Sequence, residues 1–199
     1  MNKRTIIITS IAVGAVLIAG TGVAVAVLST PQAVPVASAP ATPEPEITAT
    51  ATPTAEPDPI ADTAASLLFM IEEEKLAHDV YVTLGSIWGS NIFANIAESE
   101  VTHQGLVLPL LQTRGLTDPR STEVGVFTNP DLQTLYDELI ARGSTSQAEA
   151  IQVGILIEEK DIADIAAAIA VEDEADVISV YERLLSGSEN HLAAFQRQA

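Results

Sequence analysis

From Asp62 onward, apolar residues recur every three or four positions, the period of a helix with one buried face. The first such stretch starts near a cap at Asp62 or Thr63. It lines up Leu67, Met70, Ile71, Glu74, Ala77, Tyr81 and Leu84, and Gly85 and Gly89 mark its end. A second runs from about 91 to 112, with Phe93, Ile96, Ala97, Glu100, His103, Val107 and Leu111 on its inner face and a kink expected at Pro109. Turn signals at Asp118-Pro119 and Asn129-Pro130 then break the pattern. A short helix, DLQTLYDELIAR, stops at Gly143, and Ser144 with Gln147 reads as a capping box opening a helix over 145–170. A last helix occupies 174–197, with Tyr181 and Phe195 as core residues. No segment alternates as a strand would. The pattern predicts an all-α fold, an up-down four-helix bundle with one long crossover between its second and third core helices.

Upstream of this domain, expected over 61–199, the pattern is different in kind. Residues 5–28 are apolar and uncharged behind Lys3 and Arg4, long enough to span a bilayer as a helix. The basic pair places the rest of the chain outside the cytoplasm. Residues 1–28 therefore read as a signal peptide or a membrane anchor. Ala24-Val25-Ala26 fits a cleavage site, and Ala37-Ser38-Ala39 fits less well because Pro40 follows. Residues 29–60, rich in Pro, Ala and Thr, read as a linker with little to bury. The expected location is extracytoplasmic, anchored or secreted, with membrane contact only through residues 5–28.

Charge and composition narrow the function. Asp and Glu outnumber Lys and Arg by 27 to 9, and no acid precedes Glu44. A surface this negative repels nucleic acid and attracts cations. The chain has no cysteine, which removes disulfides, thiolate metal sites and cysteine nucleophiles. No nucleophile triad or phosphate loop is visible, so no catalytic residue is assigned. The sequence names no protein partner.

The polar residues on the apolar stripes carry the chemistry. Buried without partners, each carboxylate would cost several kcal/mol, so several converging in one core require protonation or a cation. IEEEKLAHD on the first helix parallels IEEKDIAD on the third, pairing Glu74 with Glu159, Lys75 with Lys160 and Asp79 with Asp164. SEVTH on the second helix parallels SENH on the fourth, pairing His103 with His191. Glu100 and His103 have the i, i+3 spacing that shares a helical face. With Glu74 they offer oxygen and nitrogen donors suited to iron, manganese or zinc. Glu72 and Glu73 flank the stripe and are expected at the surface, and His78 is expected to be partly exposed. Asp79 and Asp164 are candidates to orient ligand histidines.

EEEKLAHDVY, SEVTH, IEEKDIAD and GSENHLAAF together resemble a bacterial ferritin-like family catalogued as a domain of unknown function, over about residues 64–197. The resemblance implies metal ions between four helices. Glu74 would be a terminal ligand, Glu100 a bridging ligand and His103 a nitrogen ligand. Glu159, or its neighbour Glu158, would serve the third helix, His191 the fourth, and Tyr81 would stand behind the ligands. One departure is evident: the position three residues before His191 is Ser188, where a bridging glutamate belongs, and Glu189 is one residue off. One metal ion, or an asymmetric pair with a water or Ser188 in the gap, is expected. The function expected is metal binding, iron first, with oxidoreductase or metal-handling activity. The rival is a non-catalytic extracytoplasmic interaction module with a structural or degenerate metal site.

Overall fold

The computed structural model describes the chain from Pro59 to Ala199, with side chains from Thr63, so the expected membrane helix and linker lie outside the described residues. Five helices and no strand make up the described residues: α1 (Pro59–Trp88), α2 (Asn91–Thr113), α3 (Pro130–Gly143), α4 (Gln147–Ile169) and α5 (Ala175–Gln196). None is long and apolar enough to cross a membrane.

Most helix limits fall within one residue of those the hydrophobic period predicts, and the differences have local causes. α1 begins at Pro59, ahead of the expected cap, because proline suits a first turn whose N–H groups lack partners anyway. The Thr63 hydroxyl is thereby free to donate to Glu172 beyond α4. α1 passes through Gly85 and stops at Gly89, which takes the left-handed conformation (φ 65°) that glycine adopts without strain. α2 continues through Pro109 to Thr113. The N-cap of α4 lies two residues later than the predicted capping box. Ser146 accepts from the backbone N–H of Glu149, whereas Ser144 closes α3.

Apolar side chains gather in two clusters rather than one. The first contains Ala77, Tyr81, Leu84, Phe93, Ile96, Ala97, Ile151, Ile157 and Phe195. The second contains Leu67, Met70, Ile71, Val107, Leu111, Ile165, Val177, Tyr181 and Leu184. Each of the four long helices contributes to both, so each crosses from one to the other. α1 and α5 run from the second cluster to the first; α2 and α4 run from the first to the second. The second and third core helices thus point the same way instead of alternating up and down, which needs a connection spanning the height of the bundle, and residues 114–146, including α3, supply it.

That connection is fastened to α1 by buried polar groups. The expectation that Glu72 and Glu73 face solvent is not met: they are 3 % and 4 % exposed. Glu72 accepts from the backbone N–H groups of Thr128 (2.6 Å) and Asn129 (3.1 Å). Lys75 donates to the Glu123 carbonyl at 3.0 Å and lies over the Phe127 ring. Asp79 accepts from Lys75 and from the backbone N–H of Gly125. Glu72, Lys75 and Asp79 follow one another at helical spacing, so one stripe of α1 satisfies a segment that has no regular structure of its own. Glu73 points elsewhere and pairs with Lys160 of α4. His78 is partly exposed and bonds to Asp79.

Burial opposes the ionised form of Asp79, but its hydrogen bonds from His78, Lys75 and Gly125 outweigh this and hold the carboxyl below its ordinary value. A depressed folded-state pKa contributes stability above the unfolded value of about 3.9, and that stability is lost as pH falls through the folded one. Asp79→Ala should therefore lower the urea midpoint at pH 7. The gap from the unaltered protein should narrow as the pH is taken below about 4. An equal gap at both pH values would contradict this role.

Candidate metal centre

Between the two apolar clusters, all four long helices place polar side chains at the same level. α1 contributes Glu74, α2 Glu100 and His103, α4 Glu158 and Asp161, and α5 Ser188 and His191, all at most 8 % exposed. In each helix the polar residues interrupt the apolar stripe once, with cluster residues on either side. A register shift in α1, α2 or α4 would push a carboxylate into one of the hydrocarbon clusters, and a shift in α5 would do the same to an imidazole.

Glu100 is central. Its Oε2 lies 2.8 Å from His103 Nδ1, one turn along the same helix, and its Oε1 lies 2.9 Å from His191 Nδ1 on α5. His103 Nδ1 also meets Glu74 Oε2 at 3.1 Å, and His191 Nδ1 approaches Glu158 Oε2 at 3.6 Å. The two imidazoles stack with ring centroids 5.2 Å apart. One donor atom each from Glu100, His103 and His191 fall within 4.8 Å of one another.

The outer contacts of this layer fix its orientation. His191 Nε2 bonds to Ser99 Oγ at 2.9 Å, leaving Nδ1 to face the carboxylates. The Tyr81 hydroxyl donates to Glu158 Oε1 at 2.6 Å. The Ser188 hydroxyl donates to Asp161 Oδ2. His103 lies against the backbone of α5 at Gly187, where a Cβ would come within 2.3 Å of Nε2.

The electrostatics of the layer are unbalanced. Burial raises the Glu74 carboxyl well above the ordinary range against the bond from His103, and Glu100 nearby adds to the rise. Burial and the charges of Glu74, Glu158 and Glu100 do the same to Asp161, despite the bond from Ser188. Glu158 is also raised, chiefly by burial. Burial opposes ionisation of Glu100 too, yet the two histidines draw its carboxyl down to about 2. The imidazoles respond in kind. Against the cost of burial, Glu100 and Glu74 lift His103 to about 11, and Glu100 and Glu158 lift His191 to about 9. Without a cation, protons must hold this layer together.

The hydrogen bonding is incomplete even so. Glu74 Oε1, Glu100 Oε1, Asp161 Oδ1 and His191 Nδ1 are buried with no hydrogen-bond partner. Glu100 Oε1 and His191 Nδ1 are close yet misaligned for a hydrogen bond, so both are directed past each other. Buried groups of this kind are rare in folded proteins. Donors that converge without bonding one another suit a cation, which accepts lone pairs from all of them. The donor set of carboxylates and imidazoles, with no thiolate, fits a divalent metal of the iron, manganese or zinc type.

The sequence-predicted residues do not all meet here. Glu74, Glu100, His103 and His191 do, and Tyr81 stands behind Glu158. Glu159 is exposed, and Glu158 takes the inward position, because aligning the two glutamate runs on their last members put the α4 register one residue out. Asp79 orients no histidine of the layer; it serves the 114–129 connection. Asp164 pairs with Lys160 at the periphery. Glu189 is exposed, so α5 does not bulge to bring it inward. Asp161 was missed. The spacing of Ile151, Gly154, Glu158, Asp161 and Ile165 was the signal that would have found it.

A buried layer of acids and histidines shared by four helices gives the described, all-helical part of the chain a candidate metal centre. The chain belongs to the family described as "Uncharacterized protein domain (DUF2202)", whose match covers residues 63–199. It is similar to the uncharacterized protein MJ0754 of the archaeon Methanocaldococcus jannaschii, 47 % identical over 132 residues, which is 66 % of this chain and 71 % of that protein. The crystal structure of hypothetical protein MJ0754 aligns with a TM-score of 0.68 at 43 % identity, covering 74 % of this chain and 82 % of the other.

Gly187→Ala tests the close approach of α5 to His103. The added methyl must displace the imidazole or the helix, and overpacking of this kind typically costs about 1–3 kcal/mol. The expected result is a lower denaturation midpoint together with shifted His103 ring signals in NMR; unchanged ring signals would show that the contact is not tight.

Proposed function

We propose that this protein is a ferritin-like metal-binding bundle that holds divalent metal, iron in the first place, at the polar layer between its two apolar clusters. The observation that carries the reading is the set of buried, unpartnered donors on Glu74, Glu100 and His191, supplied by three different helices. The opposed directions of the helices and the long connection before α4 support the ferritin-like assignment. Lys3, Arg4 and the apolar residues 5–28 support an extracytoplasmic place for the bundle.

In this reading Glu74 and His103 serve one side of the centre, Glu158 and His191 the other, and Glu100 has an oxygen toward each. Bound iron would supply one-electron chemistry toward oxygen or a peroxide, the basis for an oxidoreductase or metal-handling role. The chain's own part is to orient the donors. Ser99 fixes the His191 ring so that Nδ1 faces inward, and Tyr81 holds one oxygen of Glu158. The apolar clusters on either side keep bulk water away and strengthen every charge interaction within.

Elemental analysis of the full-length chain after anaerobic loading with Fe(II) tests the assignment. Glu100→Ala and His103→Ala should lose most of the metal, while Glu159→Ala should retain it. Equal metal in all three, or none in the unaltered protein, would refute the centre. Chelation should lower stability without abolishing the helical circular dichroism, since both apolar clusters persist. The loss expected is about 2.7 kcal/mol for metal initially at a hundredfold over its dissociation constant.

A further inference from the structure

Asp161 has no part in the sequence-derived ligand set, yet its circumstances match those of the residues that do. It is 5 % exposed, and its Oδ1 is buried without a partner. It stands one turn after Glu158, on the same face of α4. Its Oδ2 accepts from Ser188, the residue that occupies the α5 position where a second acid was expected. The carboxylate missing from α5 is thus replaced, across the helix interface, by one from α4, and the α5 hydroxyl is left to hold it. Glu73 and Asp161 also line a cleft between α1, α3 and α4, so Asp161 stands between the polar layer and that cleft.

The charges favour the same conclusion. Glu74, Glu100, Glu158 and Asp161 are four acids in one buried layer, and the nearby lysines are already engaged. Lys75 pairs with Asp79, and Lys160 with Glu73 and Asp164. With both imidazoles neutral, as metal ligation requires, one divalent ion offsets half of the four negative charges and two offset all of them.

We propose that Asp161 is a metal-ligating carboxylate, held in place by Ser188, that supplies from α4 the acid α5 lacks and completes a site for two divalent cations. The inference rests on the metal centre proposed above and adds a ligand and a second ion to it. Ser188 acts through Asp161 as a positioning residue, and Glu158-x-x-Asp161 on α4 answers Glu100-x-x-His103 on α2.

The test is metal stoichiometry and affinity of the full-length chain, measured by equilibrium dialysis against Fe(II) without oxygen and followed by elemental analysis, for the unaltered protein, Asp161→Asn and Ser188→Ala. The unaltered protein should bind about two equivalents and Asp161→Asn about one. Ser188→Ala should keep both sites, with the weaker equivalent bound at least about tenfold less tightly. Co(II) absorption provides a separate readout, since loss of a carboxylate from one site changes the ligand-field bands of that site alone. If Asp161→Asn loses its helical circular dichroism, Ser188→Ala decides the matter. Stoichiometry, affinity and Co(II) spectrum unchanged in the folded variants would overturn the role of Asp161 while leaving the centre standing. Absence of metal from the unaltered protein would overturn both.

Discussion

Glu100 lies between the two apolar clusters with an imidazole on each side, and the arrangement of the four long helices is bound to that fact. A carboxylate buried between hydrocarbon layers is tolerable only with compensating positive charge close by. Without a bound metal, the compensation arrives from two helices at once, from protonated His103 on α2 itself and His191 on α5. Those rings in turn draw Glu74 and Glu158 inward, so that α1 and α4 are committed to the same level. Hydrophobic burial drives the helices together, but it is indifferent to their exact height. The polar layer sets that height, because any sliding would strand a charge among Leu, Ile and Phe side chains.

This division of labour explains why the interior is split. A continuous apolar core of this size would be more stable than one interrupted by four acids and two histidines, since burying paired charges is at best neutral compared with hydrocarbon of the same shape. The interruption is instead the kind of local cost that accompanies a functional site. The apolar clusters lie above and below a middle layer whose Glu100, His103 and His191 could hold a metal ion.

Much of this was legible in the chain. Period 3.6 located the five helices to within a few residues, and the long segment before α4 followed from turn signals. The inward position of Glu74, Glu100, His103 and His191 was readable because each falls in line with apolar neighbours on its own helix. What remained hidden depends on partners distant in sequence. Glu72 and Glu73 look like surface residues in any helical projection; their burial follows from the loop amides of Thr128 and Asn129 and from Lys160. Asp161 needed Ser188 to give it meaning, and an alignment of repeats, rather than the apolar stripe of α4 itself, led to Glu159 in place of Glu158. The left-to-right order of residues records faces well and contacts between faces poorly.

The three consecutive glutamates of α1 look in three directions: one clasps a loop, one reaches a lysine on α4, and one enters the centre. Successive residues on a helix are turned by about 100°, so these roles cannot be exchanged by small adjustments. Inserting or deleting a single amino acid between 72 and 73 would rotate every later task away from its partner and loosen the loop, the neighbouring helix and the interior together. The length of this stretch is consequently as fixed as its chemistry, and variation in the number of residues has room only beyond the ends of the helices.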